Sequence, residues 1–218
     1  MAQSKSFLLL QLIIINHPCI MNFDLKKFMP LIVLALVVIL GFSMCGSYNK
    51  AVGLDESVKK AWSQVENQYQ RRADLIPNLV ETVKGYANFE KETLTAVIAA
   101  RAKATSVTID PSNMSEESLR NFDQAQQGVT SALSRLLVSV EQYPDLKANA
   151  NFMDLQKQLE GTENRISTER KNFNEAVNGY NAPLRRFPMN IFAGMFGFSA
   201  KPYFQSVAGS DKAPQVKF

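Results

Sequence analysis

The chain has 218 residues, 46% of them hydrophobic and 20% charged, with a formal charge of +4 and one histidine. From Gly46 onward the charges nearly balance, 21 Lys and Arg against 19 Asp and Glu, and they are interspersed, which argues against the clustered basic stripe of a nucleic-acid binder. Both cysteines, Cys19 and Cys45, precede Gly46, so the rest of the chain carries neither a disulfide framework nor a thiolate metal site.

The N-terminal segment, 1–27, holds a nine-residue apolar run, Phe7–Ile15, too short to cross a bilayer and broken by Asn16-His17-Pro18. Met21 opens its own basic-then-apolar pattern, so residues 1–20 read as an extension ahead of the physiological start. Phe28–Cys45 (FMPLIVLALVVILGFSMC) follows, eighteen residues without a charge, directly after Lys26 and Lys27. That length predicts a transmembrane anchor over 28–46. Three fates are open to it: an uncleaved anchor, which is preferred; a cleaved signal peptide; or a lipoprotein signal ending at Cys45. The last departs from pattern, because Met44 stands where a small residue is expected. Lys26 and Lys27 before the span outweigh Lys50 just after it, which by the positive-inside rule places the following domain outside.

Helix-spaced apolar residues then begin. Leu54, Val58, Trp62, Val65 and Tyr69 step by three or four, as do Leu79, Val83 and Tyr86 beyond Pro77, with Leu94 and Val97 further on. An unbroken helix from Tyr48 to Ala104 would reach about 80 Å and outrun its neighbours. A break at Arg72–Pro77, with Asp74 as cap and Pro77 in the first turn, is therefore preferred to a kinked helix. Thr105–Ser115 (TSVTIDPSNMS) is a loop, and Ser115 with Ser118, followed by acids, opens the next helix. That helix carries Leu119, Phe122, Val129, Leu133, Leu136, Leu137 and Val140 and stops at Tyr143-Pro144. Asp145 caps a last long helix carrying Leu146, Phe152, Leu155, Leu159, Ile166, Phe173, Val177 and Tyr180, and Pro183 ends it. The expectation is an all-α protein: an antiparallel up-and-down bundle of four helices over 47–205 behind an N-terminal transmembrane helix, with a flexible tail over 206–218.

Several ordered blocks resemble the LemA family. They are Tyr48-Asn49 after the anchor, Arg72-Ala73-Asp74-Leu75-Ile76-Pro77-Asn78-Leu79 running on to Gly85-Tyr86, Tyr143-Pro144-Asp145-Leu146-Lys147-Ala148-Asn149, Thr162-Glu163-Asn164-Arg165-Ile166, Tyr180-Asn181, Phe187-Pro188, Gly197-Phe198 and Tyr203-Phe204. The likeness spans about 28–204. Asn88-Phe89-Glu90 departs from the family pattern, which has a histidine before the glutamate. The resemblance implies a single-pass bacterial membrane protein with a helical-bundle domain. It also implies a short N-terminus outside and the bundle in the cytoplasm, opposite to the lysine count.

Chemistry-bearing patterns are sparse. Arg71-Arg72 beside Asp74 reads as an ion pair near a helix boundary, with an anion site as the sharper alternative. Glu90, Glu92, Glu116 and Glu117 are oxygen donors, but a bundle metal site needs Glu and Glu-x-x-His on facing helices, and His17 lies outside the domain. No catalytic, cofactor-binding or metal residues are therefore assigned, and no cofactor. No Ser/His/Asp set, Cys/His pair or Gly-rich phosphate loop is present, so no enzyme activity or small-molecule substrate is expected. Phe187–Phe204 (FPMNIFAGMFGFSAKPYF) is aromatic and flanked by cations; it reads first as a plug for one end of the bundle, second as a surface for a partner or the bilayer. The function expected is that of a bacterial inner-membrane protein with a non-catalytic interaction or scaffold role. Its partners are the membrane and a protein met through helix faces or Phe187–Phe204. The alternatives are an accessory subunit or carboxylate enzyme acting on envelope polymers, and a lipid-surface binder.

Overall fold

The structure, a computed structural model, describes residues 25–85 and 90–205. The extension over 1–20, the start at Met21, Tyr86, the Asn88-Phe89 departure and the tail over 206–218 lie outside the described residues. Six helices make up the described chain: α1 Leu25–Lys84, α2 Lys91–Ser106, α3 Glu116–Val140, α4 Pro144–Lys147, α5 Ala150–Leu184 and α6 Met189–Phe192. No strand occurs among the described residues, so the all-α expectation holds. The chain divides into two compact units, residues 1–43 and 44–218. In the first, the apolar side chains of α1 from Met29 to Ile39 are exposed, and this part of the helix is long and apolar enough to cross a membrane. A stripe of that size is not tolerated in water, whereas lipid solvates it and the helix satisfies its own backbone groups.

In the second unit one face of α1 buries Val58, Trp62, Val65, Tyr69, Arg72, Ile76, Leu79 and Val83. These positions alternate steps of four and three without interruption, the heptad seam of a helix packed in a bundle. The core has two parts. Near the far end, Ile76–Val83 pack with Leu94 and Val97 of α2, Ala125–Val140 of α3, Leu146 of α4 and Phe152 and Leu159 of α5. Nearer the start of α1, Val58–Tyr69 pack with Leu119 and Phe122 of α3 and Ile166–Leu184 of α5. The order of contacts makes α1, α2, α3 and α5 run alternately up and down, as expected of the bundle.

The predicted break at Arg72–Pro77 does not occur. Helix α1 continues through it to Lys84, and α2 begins only at Lys91. Two local facts explain why. The stripe beside Val58–Tyr69, which α2 is too short to reach, is covered by Ile109 and Met114 of the loop and by Ala193 and Phe204 of the C-terminal segment. Proline also removes the amide that would bond the carbonyl four residues earlier. Pro77 thereby frees the Ala73 carbonyl, and Arg101 Nε of α2 donates to that oxygen at 2.7 Å. A neighbouring helix thus replaces the missing backbone donor. This pair yields a sharp prediction. Arg101→Ala destabilises the chain by about 2 kcal/mol, the cost of orphaning a buried carbonyl. In a Pro77→Ala background, where the backbone bond returns, the same change costs less than half as much. A double-mutant cycle by denaturant unfolding checks the coupling.

The other boundaries follow their caps. Ser115 and Ser118 close a capping box at α3, as the sequence suggested. Asp145 is not the cap of the last long helix. Pro144–Lys147 forms its own short turn, and Asn149 accepts from Phe152 N–H to start α5. Helix α3 ends at Val140, short of Tyr143, and Pro183 lies in the last turn of α5.

Candidate functional site

Arg72 is the most heavily engaged polar side chain of the core. It occupies a seam position of α1 and is 3% exposed. Nη1 donates to Glu163 Oε2 at 2.7 Å and to Thr130 Oγ1 at 3.0 Å. Nη2 donates to Gln126 Oε1 at 2.8 Å and to the Gln126 carbonyl at 3.2 Å. Its guanidinium also lies over the Tyr69 ring, 5.1 Å from the centroid. One side chain therefore ties α1 to α3 and α5. The expected pair with Asp74 is not formed: Asp74 is exposed and accepts from Gln70. Burial pushes the Tyr69 hydroxyl above its ordinary value, against the nearby Arg170 and Arg72 charges. The cleft beside Arg72, lined by Glu66, Tyr69, Arg101 and Gln126 among others, has a volume of about 110 Å³. Pockets for organic ligands occupy roughly 300–1,000 Å³, so this one is too small for such a ligand.

The four acids noted in the sequence are not brought together. Glu90 stands just before α2 without a side-chain bond to its backbone and accepts from the Thr93 hydroxyl, with Glu92 in the first turn. Glu116 and Glu117 open α3 at the opposite end of the bundle. Among the described residues no group of three or more His, Cys, Asp or Glu side chains is placed to hold a metal ion.

The segment after α5 is partly buried against the bundle and partly exposed. Met189, Ala193, Lys201 and Phe204 are buried, while Phe187, Ile191 and Met195 are exposed. Gly197, at φ 76°, turns the chain, with Phe198 N–H donating to the Ala193 carbonyl. Residues 201–205 then run along α5 as a strap. Asn181 donates to the Lys201 carbonyl at 2.8 Å and accepts from its amide at 2.9 Å. Asn174 does the same for Phe204, at 3.0 and 2.9 Å. Each amide side chain thus serves as a strand partner for one residue. Arg170 bonds Asp123 at 2.7 Å and covers the Phe204 ring at 4.4 Å.

Lys201, 7% exposed, locks the strap to α1 and to the loop, with Nζ 2.8 Å from Asp55 Oδ1 and 2.9 Å from the Pro111 carbonyl. Burial pushes the Asp55 carboxyl up, but hydrogen bonds and charge from Lys201 and Lys59 outweigh it and hold the group below its ordinary 3.8. Burial, then the Asp55 charge, pushes the Tyr180 hydroxyl up to about 12. A depressed carboxylate stabilises the fold above its unfolded value, and that contribution is lost as pH falls through the native one. Trp62 is the single tryptophan and stacks on Phe204 with centroids 6.0 Å apart, so it reports on the strap. Its emission should hold steady down to about pH 4.5 and change below roughly pH 3.8. In Asp55→Asn, which has nothing to titrate there, that step should be missing.

The described molecule is thus an all-α bundle protein, closed by a C-terminal strap and preceded by a helix fit to cross a membrane. That defines its class as a membrane-associated helical-bundle protein. The sequence matches the LemA family over residues 61–218, and the chain belongs to that family. It is 26% identical over 200 residues to magnetosome protein MamQ 2 of Paramagnetospirillum magneticum, covering 83% of this chain and 74% of that protein. It is 24% identical over 168 residues to protein LemA of Metamycoplasma hominis, covering 77% and 73%. With magnetosome protein MamQ of Magnetospirillum gryphiswaldense the identity is 25% over 189 residues, covering 78% and 70%.

Proposed function

We propose that this protein spans the bacterial cytoplasmic membrane once, through residues 28–46, and presents the bundle of residues 47–205 as a non-catalytic scaffold to a protein partner in the cell envelope. The observation that carries this reading is how the charges between the elements are used. Arg72 holds Glu163, Arg170 holds Asp123 and Lys201 holds Asp55, each pair joining different elements. Acids and bases so matched hold the elements together by charge-assisted hydrogen bonds. Family membership and the exposed apolar stretch of α1 support the membrane setting. The lysine flanks support an external bundle, and protease access in spheroplasts tests that side.

The experiment is site-specific photo-crosslinking in intact cells from Val138 and Met153, both exposed and on different helices. A reproducible protein adduct is expected from at least one of them. Absence of any adduct, together with altered envelope-polymer turnover in Asp123→Asn or Glu163→Gln cells of unchanged protein level, contradicts the scaffold and favours a carboxylate enzyme.

A further inference from the structure

We propose that the helical turn over residues 186–196 is a second membrane contact, seated in the lipid headgroup layer at the foot of the bundle. The proposal rests on the reading of α1 as a membrane span. Backbone bonds from Asn190 N–H to the Arg186 carbonyl, Ala193 to Met189 and Phe196 to Phe192 continue the chain as turns on either side of α6. Its inner face buries Met189 and Ala193. Its outer face carries Phe187, Ile191 and Met195, spaced by four and 78%, 56% and 75% exposed. That is an amphipathic turn with its apolar side unmatched by protein.

Its position identifies what covers it. The ring of Tyr48 lies 5.2 Å from Phe196 and 5.7 Å from Phe198. Tyr48 is three residues beyond Cys45, the end of the apolar run, a rise of about 4.5 Å along the helix. The headgroup layer on each side of the hydrocarbon is roughly 5–7 Å deep. The turn therefore meets α1 at the height where the chain leaves the hydrocarbon. Among the described residues from 44 to 205, five of the nine exposed large apolar side chains belong to the two segments meeting here: Tyr48, Val52, Phe187, Ile191 and Met195. The others are scattered singly. The charges fit as well. Lys50, Arg185 and Arg186 are exposed beside the turn, and Lys50 and Arg186 line a hollow of about 190 Å³ between α1 and Phe187. Cations around an exposed apolar turn suit anionic lipid phosphates above acyl chains.

The test uses the full chain, with Cys19→Ser and Cys45→Ser, in vesicles of phosphatidylethanolamine and phosphatidylglycerol. A single environment-sensitive label is placed in turn at Phe187→Cys, Ile191→Cys, Met195→Cys, Phe42→Cys and Val138→Cys, all exposed positions. Quenching is read with nitroxides attached to lipid headgroups or deep in the acyl chains. Labels at 187, 191 and 195 should be quenched by the headgroup probe at least about threefold more than the label at 138, as for an interfacial segment. The label at 42 should respond most to the deep probe. If 42 is quenched and 187, 191 and 195 behave like 138, the second contact is wrong while the anchor stands. If 42 also behaves like 138, the anchor reading and the second contact fall together.

Discussion

Replacing Trp62 by alanine is expected to destabilise the bundle by about 4 kcal/mol, in the range for removing a large aromatic from a packed core. Trp62 is 1% exposed and its ring sits among Phe122, Phe173 and Phe204, at centroid distances of 5.2, 5.6 and 6.0 Å. It therefore joins α1 to α3, to α5 and to the strap at once, and its loss leaves three rings facing a void. The indole Nε1 is buried with no hydrogen-bond partner among the described residues. Phenylalanine removes that unmatched donor, so Trp62→Phe should cost well under half as much, about 1–1.5 kcal/mol. Guanidinium unfolding of the full chain in mild detergent, followed by helical circular dichroism, measures both. Equal losses for Ala and Phe would show that ring volume is not what holds this end together.

The second large effect is at Arg72, and it is asymmetric. Arg72→Ala should cost about 3 kcal/mol, because it leaves the Gln126 amide oxygen without its donor inside the core and strips three helices of their shared tie. Glu163 is 52% exposed and can turn to water, so Glu163→Gln should cost about 1 kcal/mol or less. Arg72→Lys keeps the charge but cannot reach two helices with one fork, and it should fall close to the alanine variant. Comparable losses at Arg72 and Glu163 would mean that the ion pair, not the buried fork on Gln126, carries the stability.

Much of the bundle was legible because its apolar residues keep helical spacing. Ser115 announced its helix through a local side-chain bond that needs no tertiary context. Pro77 misled for the opposite reason: its effect depends on Arg101, more than twenty residues away, which satisfies the carbonyl that proline orphans. Arg72 hid in the same way. A charged residue in a seam is indistinguishable in sequence from one at a helix boundary, and only counting the heptad through it, from Tyr69 to Ile76, reveals the burial. The strap was the least visible element. Asn174 and Asn181 stand seven apart on α5, two turns on one face, and amides placed so regularly beside Phe173, Val177 and Tyr180 were the available signal. The partner residues, Lys201 and Phe204, carry no periodic pattern of their own. The apolar segment Phe187–Phe204 read as plug or surface because it is amphipathic over a single turn, too short for periodicity to separate the two faces.

The most direct measurement of the central claim, a membrane-spanning helix that holds this bundle, is alkaline carbonate extraction of membranes from cells producing the full chain. An apolar helix buried in lipid resists it, since stripping charge and peripheral contacts leaves the hydrophobic insertion intact. The account predicts that the protein stays with the membrane pellet. Its release into the carbonate supernatant would contradict it.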